Sequence, residues 1–277
     1  MPELPEVESA RAVIERSALG RRIADVDDRD TYECRPHQPG ELREALVGRT
    51  LASANRRGKL MWCETSGLGR SRTPGPSLAL HLGMAGRILA TQGATTDEGG
   101  DYAGPRGRPQ QGSATRKPEW DRFTITFTDG GTLRLFDKRR LGRVYLNPDV
   151  DALGPDAGEI TATDFRARVG RGTLPIKARL LDQATLAGVG NLLADEVLWQ
   201  AEISPRTEAG RLTTDDLARL RRDLRKAIRH AIRLGGVHHG EIIPYRARGE
   251  HCPRCGAEMV RGTVGGRTTW WCSKEQA

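Results

Sequence analysis

No stretch of this 277-residue sequence approaches the roughly 18 apolar residues that a membrane-spanning helix needs. The opening Met1-Pro2-Glu3-Leu4-Pro5-Glu6 is acidic and proline-rich. It has neither the basic region nor the apolar stretch of a secretory signal. Cysteine is scarce: there are five, an odd number, and three of them fall in the last 26 residues. That distribution argues against a disulfide framework and for a metal site in a reducing compartment. No internal repeat is visible. These absences lead to the expectation of a cytoplasmic protein with no membrane partner.

What is present is charge of one sign in excess. Lys and Arg number 44 against 36 Asp and Glu, a net +8 with a pI near 9.6. A basic chain prefers polyanions, nucleic acid first, although an excess of this size also occurs without any such partner. At 37% hydrophobic and 29% charged residues, the composition is that of a globular protein with enough chain for a packed core.

In residues 3–17, Val7, Ala10 and Ile14 recur at spacings of three and four, and Pro5 and Glu6 suit a first turn. The spacing predicts an amphipathic helix. From about residue 21 to 146 the pattern changes to short strands, clearest at 60–63, 77–82, 123–127 and 132–136. Phe123, Ile125 and Phe127 alternate with Thr124 and Thr126, and Asp129-Gly130-Gly131 supplies a turn. This predicts an antiparallel β-sandwich or barrel. Residues 91–119 carry six Gly and three Pro with almost no apolar residues, and read as a long mobile loop or insertion.

Residues 177–235 read as helical. Thr213-Thr214-Asp215-Asp216 resembles a capping box, with Leu217, Leu220, Leu224, Ile228 and Ile232 as the buried stripe behind it. Arg219, Arg221, Arg222, Arg225, Lys226, Arg229 and Arg233 crowd the other faces, a pattern more often solvated than functional. The fold class is thus α+β: an N-terminal antiparallel β-sandwich with a flanking helix, then a helical domain, then a terminal hairpin.

That hairpin carries Cys252-Pro253-Arg254-Cys255, sixteen residues, then Cys272. Two thiolates on a tight knuckle with a third on a returning strand is zinc-ribbon geometry. A fourth Cys is absent, for position 275 is Glu. Glu275 or His251 is left to complete a tetrahedron around one structural zinc, and a metal-free hairpin held by Trp270 and Trp271 is the competing reading.

The opening Met1-Pro2-Glu3-Leu4-Pro5-Glu6-Val7-Glu8 resembles that of the formamidopyrimidine-DNA glycosylase / endonuclease VIII family. Asp182-Gln183 and the segment from Leu186 to Leu198, with Gly188-Val189-Gly190-Asn191 at its centre, is similar to that family's helix–two-turn–helix element. The Cys252 region, with Arg267 five residues before Cys272, is similar to its zinc finger. The matches run in order along the whole chain. The resemblance implies a catalytic β-sandwich domain over 1–148, a linker over 149–176, a helix–two-turn–helix DNA-binding domain over 177–240 and a zinc-finger-like hairpin over 241–277.

The resemblance also implies base excision followed by strand scission on duplex DNA carrying oxidised bases or abasic sites, by a monomer without a catalytic metal. Pro2, exposed by removal of Met1, is the implied nucleophile. A free α-amine ionises near about 7.7–8.0, and the positive end of the helix beginning near Pro5 favours the free base. Glu3 matches the general acid/base and Glu6 a turn-fixing glutamate. Lys59 matches a hairpin lysine that contacts phosphate and the lesion's sugar. Lys177 and Arg267 match phosphate contacts, and Asn191 is read as capping the second helix while presenting its amide. Met84 and Leu141 match void-filling wedges, and Arg139 faces the orphaned base.

Two features depart from the family pattern. The fourth Cys is missing, and only fifteen residues, Val237 to His251, separate Gly236 from Cys252. The purine-specific branch carries a longer lid over flipped 8-oxoguanine there. The opening therefore resembles the formamidopyrimidine branch and the short segment the endonuclease VIII branch. A non-catalytic DNA-binding relative is the alternative, but it would lose Pro2 or Glu3. A plain zinc-ribbon nucleic-acid module would leave the first 200 residues without a role.

Overall fold

Val7, Ala10 and Ile14 do form the buried face of a helix, α1 (Leu4–Ser17), with Val13 beside them. Pro5 lies in the first turn, where its missing N–H forfeits no helical hydrogen bond. The computed structural model describes residues 1–69, 71, 73–101 and 117–277. They divide into two units: residues 1–2, 6–101 and 117–150, and Glu3–Pro5 with Asp151–Ala277.

The first unit contains two antiparallel sheets. One has five strands, β1 (Ile23–Asp27), β5 (Arg87–Gln92), β6 (Thr95–Gly100), β7 (Asp121–Phe127) and β8 (Thr132–Phe136), in the order β1-β7-β8-β5-β6. The other has four, β2 (Leu51–Arg57), β3 (Leu60–Thr65), β4 (Leu78–His81) and β9 (Arg143–Leu146), in chain order. A short helix α2 (Glu41–Leu46) lies between β1 and β2 in the chain. Phe123, Ile125 and Phe127 from one sheet and Met61, Leu80 and Val144 from the other join α1 in a single buried cluster. Each such side chain removed from water contributes roughly 1.5–3 kcal/mol.

The expectation of a loop over 91–119 is corrected in part. β5 runs to Gln92 and pairs with β6 from Gln92↔Thr95 to Arg87↔Gly100. The reason is packing: a Cβ at Gly99 would lie 2.5 Å from the Ser9 carbonyl oxygen of α1. Small residues there let a strand approach a helix closely, although their composition resembles that of a loop. Residues 102–116 of that expectation lie outside the described residues, and Pro118–Trp120 forms a short 3₁₀ turn.

The second unit holds α3 (Ala162–Val169), α4 (Ile176–Leu181), α5 (Asn191–Gln200), α6 (Thr214–Leu234) and the hairpin β10 (Met259–Val264) and β11 (Arg267–Cys272). Residues 149–176, read as a linker, contribute Ala157, Ile160, Phe165, Val169 and Ile176 to its core. α6 begins on the expected capping box: Thr213 Oγ1 accepts from Asp216 N–H and Asp216 Oδ2 accepts from Thr213 N–H. Leu217, Leu220, Leu224 and Ile228 are buried as the spacing requires. Ile232 is not; at 39% exposed it lies on the helix's last turn beyond the packed face, which corrects the expected stripe. Among the described residues no helix is long and apolar enough to cross a membrane.

Candidate active site

α5 starts after two tight turns, and the start is organised by side chains rather than by a cap of its own. Asp182 accepts from Ala184 N–H and from the Thr185 hydroxyl, and the Gln183 amide reaches across the turns. Its Nε2 donates to the carbonyls of Leu181 and Val189, and its Oε1 accepts from Gly188 N–H, all at 2.9 Å. Gly188 has φ +111°, which L side chains rarely adopt. Its carbonyl accepts Leu4 N–H at 3.1 Å.

Into the N-terminus of α5 comes the Glu3 carboxylate, itself buried. It accepts from Gly190 N–H at 3.0 Å, Leu192 N–H at 2.9 Å and Leu193 N–H at 3.0 Å. The positive end of a helix and three converging donors favour an anion there. The expectation that Asn191 caps this helix is therefore corrected: Gly190 is the N-cap residue and Glu3 supplies the acceptor. A carboxylate serves three N–H groups at once, which an Asn amide oxygen cannot. Asn191 instead donates its Nδ2 to the Thr268 carbonyl at 3.0 Å, and its Oδ1 has no partner among the described residues. Pro2 and Glu6 are both buried, at the two ends of the Pro2–Glu6 motif.

In the first unit, Gly58 and Lys59 form the two-residue turn between β2 and β3, closed by the Arg57↔Leu60 pair. Gly58 takes φ +61°, the conformation such a turn demands. Lys59 is half-buried there, near His81, which ends β4 opposite Leu60. Burial, and then the charges of Lys59 and Arg143, hold His81 below its ordinary proton affinity. Its Nδ1 accepts Gly83 N–H at 3.1 Å, so the neutral ring carries its proton on Nε2. Sequence reasoning passed over His81, although it opens the same segment that drew attention to Met84.

Met84, in the turn between β4 and β5, and Leu141, in the loop between β8 and β9, are each 37% exposed, unusual for large apolar residues. Their loops touch backbone to backbone: a Cβ at Gly83 would lie 2.3 Å from the Leu141 carbonyl carbon. The 138–142 loop is held from below by Asp137, which is fully buried. Asp137 Oδ1 accepts from Arg139 N–H at 2.8 Å, and Oδ2 accepts from Leu141 N–H and Gly142 N–H at 2.9 Å each. Arg139 and Leu141 therefore project outward from one rigid turn next to Met84, which is what residues entering a base stack require.

Lys177 departs from its expected place. Rather than facing solvent, its ammonium is wholly enclosed, 2.6 Å from Asp195 Oδ1 and donating to Thr269 Oγ1 at 2.8 Å. Burial holds its proton affinity below the ordinary lysine range even against the Asp195 charge. Arg246 pairs with Asp195 Oδ2 at 2.8 Å, and Trp270 N–H donates to the same oxygen. Lys177 thus fastens β11 to α5 and is not a phosphate contact, because no phosphate oxygen reaches a fully enclosed ammonium. Arg267, by contrast, is exposed at the start of β11 after the Gly265-Gly266 turn.

Cys252, Cys255, Cys272 and Glu275 bring three Sγ atoms and a carboxylate oxygen within 4.8 Å of one another. Zinc–sulfur bonds of about 2.3 Å in a tetrahedron place sulfurs roughly 3.8 Å apart, so the donors fit one zinc ion. Cys255 and Cys272 Sγ lie 3.4 Å apart, and Cys252 Sγ is 3.7 Å from Glu275 Oε2. Trp199 Nε1–H points at Cys252 Sγ and Glu275 N–H at Cys272 Sγ, as outer donors to thiolates do. Of the two alternatives for a fourth ligand, Glu275 lies in this cluster. His251 does not; it is exposed and bridged to Glu258.

The profile of the formamidopyrimidine-DNA glycosylase N-terminal domain matches residues 1–144, and that of the H2TH domain matches residues 152–241. A formamidopyrimidine-DNA glycosylase of Corynebacterium aurimucosum is 32% identical over 293 aligned residues, covering 98% of this chain and 95% of that one. One from Ligilactobacillus salivarius is 31% identical, covering 100% and 99%. The Lactococcus lactis enzyme in complex with DNA containing an abasic site superposes with a TM-score of 0.78 at 27% identity over 99% of each chain. A MutM complex with DNA containing carbocyclic 8-oxoguanine gives 0.78 at 28% identity, again over 99% of each chain.

Proposed function

Since this chain belongs to the formamidopyrimidine-DNA glycosylase family, we propose the residues by which it carries out that family's chemistry. The protein is a base-excision repair DNA glycosylase with AP lyase activity, acting on duplex DNA that carries oxidised bases or abasic sites. The observation that carries the residue assignment is Glu3, held at the N-terminus of α5 by three N–H groups, directly after Pro2 in the chain.

Once Met1 is removed, Pro2 offers a secondary amine. Its lone pair attacks C1′ of the damaged nucleotide and the base departs with the C1′–N bond electrons and a proton; the amine gives up its own proton, the C1′–O4′ bond breaks as O4′ is protonated, and the opened sugar is left as an iminium. A secondary amine leaves that iminium with no N–H to lose, so it stays cationic and draws electrons from C2′ as the 3′-phosphate leaves. A further elimination releases the 5′-phosphate. Glu3 moves the protons at the sugar. Lys59 holds the phosphate and sugar of the lesion, while Asn191 and Arg267 hold neighbouring phosphates. Met84 and Leu141 fill the space the base vacates, and Arg139 meets its former partner.

Cys252, Cys255, Cys272 and Glu275 are the residues that would hold one structural zinc, which would tie the hairpin's knuckle to β11. The protein works as a single chain inside the cell. Borohydride trapping on DNA with an abasic site tests the mechanism: a covalent adduct is expected from the Met-processed protein, and an adduct undiminished in Pro2→Gly and Glu3→Gln would refute the assignment. Excision from oligonucleotides carrying 8-oxoguanine, formamidopyrimidine or thymine glycol ranks the lesions. The short 237–251 segment favours weak turnover of 8-oxoguanine.

A further inference from the structure

Glu33 has no part in the reading above. It lies between β1 and α2, fully buried, and neither carboxyl oxygen meets an ordinary donor among the described residues. Its backbone carbonyl accepts Val144 N–H at 2.8 Å, which fixes it beneath β9. A Cβ at Gly142 would lie 2.6 Å from Glu33 Oε2, so the carboxyl sits directly under the end of the 138–142 loop. The group in hydrogen-bonding contact with it is the carboxyl of Asp137, the same residue that clamps that loop.

Two enclosed carboxyl groups in contact do not both ionise. Asp137 accepts three N–H bonds. Among the described residues Glu33 has no donor to compensate a charge, so it keeps its proton and donates it to Asp137. Burial first, and then the charge of Asp137, push the Glu33 carboxyl up to about 8. Asp30 adds to this, while Arg122 opposes it from β7. The nearby cations are committed elsewhere: Arg122 donates to the Asp137 carbonyl at 2.8 Å and lies 3.6 Å from Asp30, and Arg140 pairs with Asp30 at 2.7 Å. Cys34, the next residue in the chain, is buried with its thiol pushed up to about 12, so it brings no charge.

We propose that Glu33 is a positioning residue for base excision: as the neutral acid it completes the Asp137 clamp that presents Arg139 and Leu141, and loss of its proton releases the loop. This rests on the wedge role given to those two residues. Ionised, Glu33 would set a second negative charge against Asp137 in an enclosed space. The exposed residues 138–141 of the loop are the part that then moves away and admits water.

The test uses the full chain bound to a duplex with a tetrahydrofuran abasic analogue, which cannot react, opposite 2-aminopurine. Insertion unstacks the 2-aminopurine and raises its emission. For the wild type, emission should be high near pH 6.5 and fall severalfold as the pH passes about 8. Glu33→Gln, whose amide donates to Asp137 at every pH, should hold the high emission throughout, and Glu33→Ala should be low throughout. A flat wild-type profile, or a Glu33→Gln profile that follows the wild type, overturns the proposal. If Glu33→Ala fails to fold, the wild type and Glu33→Gln decide it alone. Excision of an oxidised base by the wild type at neutral pH runs in parallel. Absence of excision would sink the assigned activity, whereas excision with a flat emission profile sinks only the role of Glu33.

Discussion

Gly190 leaves Glu3 the space its carboxylate occupies: a Cβ at position 190 would lie 2.3 Å from Glu3 Cδ and 2.5 Å from its Cγ. Neither group can yield cheaply, since one is backbone at a helix start and the other is tied by three hydrogen bonds. Gly190→Ala should therefore behave like a lesion at Glu3. Borohydride-trapped adduct and base excision should both fall by about a hundredfold or more, as when an acid/base group is displaced. Retention of full trapping by Gly190→Ala would show that the carboxylate's seat is not required.

Lys177 and Arg267 carry the same formal charge and should fail differently. Lys177→Met leaves a buried carboxylate with one partner fewer, so it should lower the unfolding free energy by about 3 kcal/mol in denaturant titration. The salt dependence of DNA binding should stay as in the wild type. Arg267→Ala should leave stability within about 0.5 kcal/mol and reduce the slope of log K against log salt by roughly one.

Met84→Ala and Leu141→Ala remove partly exposed side chains, so thermal midpoints should barely move. Affinity for duplex with a tetrahydrofuran site should drop severalfold, with little change on undamaged duplex. Equal losses on both duplexes would place these residues outside the lesion contact.

Purified chain should carry about one zinc by elemental analysis, with Glu275→Ala holding it less firmly against chelators. Glu275→Cys should release it more slowly than the wild type, since a thiolate replaces a carboxylate that also pairs with Arg254 at 3.2 Å. Less than about half an equivalent of zinc in the wild type would count against the site.

Burial raises the Glu33 carboxyl from an ordinary 4.5 to about 8. Between those values the folded chain keeps a proton that the unfolded chain has released. The group's contribution to stability is therefore full below about 4.5, declines as pH rises to about 8, and is lost above it. Against Glu33→Gln, which does not titrate, the wild type's thermal midpoint should decline across that window and then run parallel. Parallel curves throughout would mean that Glu33 is ionised at neutral pH.

The sequence by itself determined what periodicity and side-chain chemistry encode locally. The 3–4 spacing in 3–17 placed α1, the alternation from Phe123 to Phe127 placed β7, and Thr213 to Asp216 marked the start of α6. Pro2 and Glu3 drew notice through the resemblance of the opening motif to the family, and the three clustered cysteines through their spacing. Tertiary structure alone decided which groups meet. Glu3 finds its donors 187 to 190 residues away, Lys177 closes on Asp195 instead of facing solvent, and Glu275 rather than His251 joins the thiols. It also turned the glycine-rich 95–100 into a strand and set Glu33 beneath Asp137. The physical reason is common to all of these. A charged or small residue reads the same in sequence whether it faces water or another element, and its proton, partner and role are fixed only by what packing brings within a few ångströms.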